Sequence, residues 1–446
     1  MQQATPADPA ATRDIREFID ACPVSLYQLR IVALCFLVVA LDGFDTSSIG
    51  FIAPGIRDQW ALAPTALAPV FGASLLGLML GAFLFGPLSD RFGRRTILIT
   101  TVAWFGLACL ASAFAPSFEV LVALRFVTGL GLGGAWPNAV TLTAEYCPAR
   151  RRSTLLTLMF CGFALGGALG GGVAALLMQR YGWRGVLVTG GLMPLALVIP
   201  LLLWLPESPR YLVQKGAPRA KIARVIARLA PGVSLDDGKA FTVRQAPAHA
   251  GVSVVDLFRQ GNLRGTLLLW STFFMGLLMI FLLQSWLPVV LRARGLPLEQ
   301  AALIAALLQT GGFAGALGMG YLMDRLNPSR VVAAAYCLGA VAIFTFGHAQ
   351  SPLVQGLAVF LAGCGVSGSQ VCISVMATGF YPTHCRATGV SWASGVGRIG
   401  AIFGSMVGGW MLAWGWSSPT MFTVIALPAL FAAASMFAIG RPKWTA

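Results

Sequence analysis

Gly86-Pro87-Leu88-Ser89-Asp90-Arg91-Phe92-Gly93-Arg94-Arg95 has a fainter copy 234 residues later, Gly320-Tyr321-Leu322-Met323-Asp324-Arg325, followed by Arg330. The same offset carries Gly129, Gly131 and Gly134 onto Gly363, Gly365 and Gly368. It carries Pro148, Arg152 and Thr154 onto Pro382, Arg386 and Thr388, and Gly166, Gly170 and Pro194 onto Gly400, Gly404 and Pro428. The chain is therefore two copies of one unit. Residues shared by both copies read as architecture, and polar residues present in only one copy are where function is sought.

Each copy is apolar enough to sit in a bilayer. The 446 residues are 57% hydrophobic and 11% charged, against about 25% charged in a soluble domain. Residues 331–347 and 419–439 carry no charge, and about 20 apolar residues span a membrane as a helix. A β-barrel would show short alternating segments instead. The expected fold is an all-α membrane protein of twelve transmembrane helices in two pseudo-symmetric six-helix bundles. The helices are predicted near 31–54, 67–88, 96–114, 119–143, 153–178, 186–205, 265–290, 301–323, 331–348, 352–378, 390–413 and 419–439. This divides the chain into an N-terminal tail (1–30), a first bundle (31–205), an inter-bundle loop (206–264), a second bundle (265–439) and a C-terminal tail (440–446).

Basic residues orient these helices. Both tails and the loops on their side hold 24 of the 31 Lys and Arg, whereas the opposite loops hold five. Positive-inside bias predicts an inner-membrane protein with both termini cytoplasmic. It also accounts for the net charge of +15 without nucleic acid as a partner; the bilayer is partner enough. The opening residues contain Asp8, Asp14, Glu17 and Asp20 and no apolar core, so they read as a retained tail rather than a signal peptide. In the inter-bundle loop, residues 220–230 form an amphipathic pattern. Ile222, Val225, Ile226 and Leu229 share one face and Lys221, Arg224 and Arg228 another, as in a helix lying on the inner membrane surface. Residues 231–251, rich in Pro, Gly and Ala, read as a mobile stretch with His249 solvated. The nine cysteines fall outside the predicted exterior loops and make neither a disulfide framework nor a paired metal-ligand spacing.

The stretch from Gly86 to Arg95 resembles the G-x-x-x-D-R-x-G-R-R/K signature of the major facilitator superfamily. Arg125-x-x-x-Gly129-x-Gly131-x-Gly133-Gly134 in the fourth helix and Pro206-Glu207-Ser208-Pro209-Arg210 after the sixth agree with it. The resemblance implies a cytoplasmic latch, with Asp90, Arg91, Arg94, Glu145, Arg152, Asp324, Arg325 and Arg386 as gate or structural charges. Glu145 lies 20 residues beyond Arg125, about 30 Å along a helix. It is therefore expected to join Arg94, Arg95 or Arg152 instead. Asp42-Gly43-Phe44-Asp45 resembles the D-G-x-D signature of the aromatic acid:proton symporters. Gly134-Ala135-Trp136-Pro137-Asn138, Ser285-Trp286-Leu287-Pro288 and Gly397-Arg398-Ile399-Gly400 extend that likeness over nearly the whole chain. The likeness implies proton-driven import of a benzoate, hydroxybenzoate or protocatechuate.

Four intramembrane charges fail the duplication. Asp42, Asp45, Arg125 and Arg398 correspond to Gly276, Met279, Val359 and Ala164. Each costs about 2.5–3.5 kcal/mol at a helix centre, so they must face one another or a polar cavity. Counted from the predicted helix ends, Asp45 lies about 14 Å and Arg125 about 9 Å from the outer side, within side-chain reach of each other. Asp42 is one turn deeper than Asp45. The three are assigned to proton coupling, against the plainer reading of a static salt bridge. Arg398, near mid-depth, offers a planar fork for a carboxylate, although a structural tie to an Asp or to carbonyls would use it equally well. Trp136 and Asn138, with Gln370 at Trp136's repeat position, complete the expected substrate cavity together with Phe44, Gln284, Trp286 and Gln309. His348 and His384 read as surface or gate residues, His384 as one that could tune the inner gate with pH.

No Walker sequence or hydrolase triad is visible. The chain is expected to be no enzyme and to use no cofactor, the proton serving as coupling ion, and to function as a monomer. Efflux, import of another organic acid or sugar, and sensing of aromatic acids without transport are the alternatives.

Overall fold

The computed structural model describes residues 12–229, 240–242, 257–258, 263–323, 325–381 and 386–439. Asp324, His384, His249 and the side chain of Arg386 lie outside the described residues. The first bundle begins with α1 (Leu26–Gln59), α2 (Ala68–Phe92), α3 (Arg94–Ser112) and α4 (Phe118–Tyr146). A continuous 56-residue element, Ala149–Trp204, follows; Gly182 breaks it at φ 62° and ψ −167°, a conformation open to glycine. It is therefore two spans, α5 (149–181) and α6 (183–204). The second bundle comprises α7 (Leu263–Ala293), α8 (Leu298–Met323), α9 (Pro328–His348), α10, α11 (Arg386–Ala413) and α12 (Ser418–Ile439). α10 runs as Pro352–Ala362, a π-helical turn Gly363–Ser367 and Gly368–Phe380. Among the described residues these make twelve long helices, the number expected from the sequence.

The repeated glycines are contact points between backbones. A Cβ on Gly77 would stand 2.2 Å from the Phe126 carbonyl oxygen, and one on Gly311 would stand 2.1 Å from that of Phe360. These two pairs are related by the 234-residue offset. The α2–α4 and α8–α10 seams are thus one packing solution used twice. Small residues let helices approach closely where lipid supplies no hydrophobic drive between them.

Helix ends depart from the hydropathy boundaries where polar groups cap them. α1 starts five residues before the predicted 31 because Ser25 and Gln28 form a capping box. Gln28 Nε2 also donates to the Tyr146 carbonyl at 2.7 Å, fastening the inner ends of α1 and α4. α3 begins at Gly93, which has φ 100° and no side chain with which to cap. Glu207, beyond α6, supplies the cap: its Oε1 accepts from the Arg95 amide at 3.1 Å.

The segments that flank the first bundle fold onto it. A short helix, Ile15–Ala21, precedes α1, and another, Arg219–Leu229, follows α6. The apolar face expected at the membrane surface is buried within the protein instead. Ile222, Ile226 and Leu229 share a buried cluster with Ile15, Phe18, Ile19 and the inner end of α1. Thr12–Asp14 pairs in parallel with Ala240–Thr242, and Phe18 meets Phe241 edge-on at 5.9 Å.

The bundles meet toward the end bearing the α1–α2 and α7–α8 connections, the outer end in the predicted topology. A Cβ on Gly50 of α1 would lie 2.2 Å from the Gln284 carbonyl oxygen of α7. α5 meets α8 at Gly171 and Ala306, and α2 meets α11 at Gly72 and Met406. The structure is closed at this outer end.

Candidate functional site

Asp45 and Arg125 form a two-pronged ion pair, with both side chains wholly buried. Arg125 Nη1 donates to Asp45 Oδ1 at 3.0 Å and Nη2 donates to Oδ2. The depths read from the sequence lead to this pairing; α1 and α4 bring the two residues together. Cys109 of α3 adds a third group. Its Sγ lies 3.8 Å from Arg125 Nη1, and its thiol donates to the Leu187 carbonyl of α6 at 3.6 Å.

Asp42, one turn along α1 and 3% exposed, accepts from Thr46 Oγ1 at 3.2 Å. Across the bundle boundary, Arg398 is close enough to act on its charge. Among the described residues the two make no ion pair, and Arg398 Nη1 is buried without a hydrogen-bond partner. An arginine held near a carboxylate but not spent on it has donors left for another anion.

The remaining substrate candidates divide. Trp136 is half-buried, stacked on Phe160 at 5.4 Å and edge-on to Phe163 at 5.8 Å, an aromatic wall on α4 and α5. Gln370 is half-buried on α10, with its Oε1 unpartnered. Asn138 is committed to its own helix, donating to the Gly134 carbonyl at 2.8 Å. Phe44 is 2% exposed, its ring against Gly190 of α6. Gln284 and Gln309 both donate to Ser47 Oγ, at 2.9 and 3.1 Å. Trp286 donates to the Ser405 carbonyl at 2.7 Å and packs edge-on against Phe71 at 5.3 Å. In this conformation the contacts of Gln284, Trp286 and Gln309 lie at the closed outer end.

At the inner end, Arg94 links the latch charges, 2.7 Å from Asp90 and 3.8 Å from Glu145. Ser208 donates to Glu145. Arg152 holds the Ala144 and Cys147 carbonyls at 3.1 and 3.2 Å and reaches Asp20 at 3.7 Å. The Arg91 carbonyl accepts from Tyr211 Oη at 3.0 Å. In the second bundle, the Arg325 guanidinium lies over the Tyr321 ring at 4.3 Å. Beside Arg152, burial pushes the Cys147 thiol up to about 11.

A family model described as Major Facilitator Superfamily matches residues 35–404. The chain belongs to the major facilitator superfamily. It is 46% identical over 434 residues to a gallate transporter of Pseudomonas putida, covering 96% of each chain. It is also 46% identical over 441 residues to the 4-hydroxybenzoate transporter PcaK of Pseudomonas aeruginosa, covering 98% of each. The crystal structure of a D-xylose-proton symporter superposes with a TM-score of 0.72 at 18% identity, over 94% of this chain and 99% of that one; this likeness concerns the fold. The chain is a membrane transporter of this superfamily and not an enzyme.

Sequence reasoning missed Ser47, Cys109 and Tyr336. Ser47 belongs to the polar run Asp45-Thr46-Ser47-Ser48, a signal that was available. Cys109 looks like any small apolar residue, and only the helix packing sets it beside a guanidinium. Tyr336 lies in a charge-free span and is wholly buried, with its hydroxyl unpartnered.

Proposed function

We propose that this protein imports an aromatic carboxylate, of the benzoate, hydroxybenzoate or protocatechuate class, together with protons by alternating access of its two bundles. It does so as a monomer in the inner membrane, with both termini cytoplasmic. The observation that carries this reading is the set of four unduplicated charges: a closed Asp45–Arg125 pair beside an Asp42–Arg398 pair left open. The names of the relatives, a gallate and a 4-hydroxybenzoate transporter, support the class of cargo.

The coupling follows from charge balance. An aromatic carboxylate is ionised at neutral pH. Brought to Arg398, it is repelled by Asp42 while Asp42 is ionised. Protonating Asp42 removes that repulsion, so anion and proton enter together. Opening the Asp45–Arg125 pair strands a buried guanidinium, which costs about 3–5 kcal/mol, so the pair is expected to open only with a compensating carboxylate or with water entering the site. Loading from outside requires that rocking of the bundles about a midplane site first open the Ser47–Gln284–Gln309 closure; the closure re-forms behind the cargo before release to the inner side.

The test is uptake of radiolabelled 4-hydroxybenzoate into proteoliposomes. An inwardly directed proton gradient is expected to drive accumulation, and a protonophore to abolish it. Accumulation without a gradient and unaffected by the protonophore would refute coupling. Absence of counterflow with any aromatic acid would refute the cargo. A cysteine replacing Lys239 is expected to react only from the cytoplasmic side; labelling by an impermeant reagent in intact cells would reverse the orientation.

A further inference from the structure

The repeat position of Asp42 in the second bundle is Gly276, and two unsatisfied oxygens occupy the space its missing side chain leaves. Gln370 Oε1 and Tyr336 Oη stand 2.4 and 2.6 Å from where a Cβ on Gly276 would lie. Both are buried and, among the described residues, neither has a hydrogen-bond partner; Tyr336 as a residue is 0% exposed. Their repeat mates are Trp136 and Val102, so this polar pair belongs to one half only.

Three features build the spot. Gly365, inside the π turn of α10, lets that helix lie on α9, where a Cβ would meet the Ala335 carbonyl oxygen at 2.4 Å. This brings Tyr336 beside α10. The π turn ends one turn before Gln370, and such wide turns often accompany functional sites. Gly397 and Gly400, flanking Arg398, pack on α7 at Phe273, Phe274 and Leu277. That is the turn of α7 containing Gly276, so the carboxylate anchor and the unsatisfied oxygens lie at one depth.

We propose that Tyr336 and Gln370 form a hydroxyl-recognition subsite that selects ring-hydroxylated aromatic acids over unsubstituted benzoate. The inference rests on the reading of the protein as a carrier of aromatic carboxylates. A phenolic hydroxyl donates one hydrogen bond and accepts another. It gives its proton to Gln370 Oε1 and accepts that of Tyr336 Oη, while the carboxylate takes Arg398. A ligand lacking the hydroxyl leaves two buried polar groups unpaired. A site of that kind discriminates more strongly than an apolar pocket does. On the opposite bundle, Trp136 offers a ring face.

The test is equilibrium binding to the purified full-length protein in nanodiscs, with 3- and 4-hydroxybenzoate against benzoate as probes. Wild type is expected to prefer at least one hydroxybenzoate by about tenfold or more, the scale of one hydrogen bond. Tyr336→Phe and Gln370→Leu are each expected to lose most of that preference, read as the ratio of hydroxybenzoate to benzoate affinity. Because the Tyr336 hydroxyl has no protein partner, ligand-free Tyr336→Phe is expected to melt at or above the wild-type temperature. Equal wild-type binding of all three acids, a preference surviving both substitutions, or equal loss of all probes would overturn the subsite. So would a lowered melting temperature of ligand-free Tyr336→Phe, which would reveal a protein partner for the hydroxyl. Wild type binding no aromatic acid at all would overturn the underlying reading along with it.

Discussion

Asp45 on α1 and Arg125 on α4, 80 residues apart in sequence, close a two-pronged ion pair with neither side chain exposed. Buried pairs of this kind contribute little net stability, yet removing one partner is costly because the other is stranded. Stability and coupling can therefore be separated at this pair.

Asp45→Asn alone is expected to destabilise the protein by about 3–5 kcal/mol and abolish proton-driven accumulation. The double substitution Asp45→Asn with Arg125→Gln removes both charges. It should recover much of the melting temperature and none of the accumulation. Recovery of both would reduce the pair to a structural tie. Asp42→Asn is expected to lose accumulation with little change in melting, since among the described residues Asp42 has no ion-pair partner to strand.

Arg398→Lys is expected to weaken binding of an aromatic acid by roughly ten- to hundredfold although the charge is kept. Lysine has no planar fork to match a carboxylate. The corresponding aromatic amide should bind wild type poorly and be little affected. Equal losses for acid and amide in a direct binding assay would assign Arg398 to the gate or the fold.

Outer closure depends on Gly50 meeting the Gln284 carbonyl, where a Cβ would stand at 2.2 Å. Gly50→Val is expected to disfavour this closed state by about 1–3 kcal/mol, shifting the population outward by roughly tenfold or more. Transport should fall while substrate still binds from outside. An unchanged transport rate would mean that the α1–α7 contact does not limit closure.

Gly93 carries φ 100°, and a Cβ there would stand 2.2 Å from Glu207 Oε2. Gly93→Ala is expected to lower stability by about 1–3 kcal/mol, through backbone strain and loss of the Glu207 cap on α3. Thermal melting of the purified variant measures this. No change in melting would show that the α3 terminus does not depend on that cap.

Burial pushes the Cys147 thiol up to about 11. Only the thiolate reacts, so Cys147 should resist maleimide at neutral pH, with its labelling rising as the pH climbs toward that value. Mass spectrometry of labelled peptides reports it. Rapid labelling at pH 7 would show that the α4–α5 connection opens readily.

The duplication and the hydropathy pattern were enough to read twelve helices, their two bundles and the four unduplicated charges. Those features are periodic or compositional, and each depends on residues close in sequence. Even the Asp45–Arg125 pair was legible, because depth along a spanning helix is a one-dimensional quantity that a residue count supplies. Rotation about the helix axis and proximity between helices are not. Trp286, Gln284 and Gln309 look like ligand contacts from their chemistry, yet packing turns them onto Ser47, Phe71 and Ser405 at the outer closure. The amphipathic helix at 219–229 looks like a membrane-surface element, yet Ile222, Ile226 and Leu229 on its apolar face are buried in the protein's own core. Tyr336 and Gln370 lie 34 residues apart and meet at a glycine on a third helix. Only tertiary structure could decide these, because a side chain's partner is set by how two helices rotate and cross, and that depends on every residue along the seam at once.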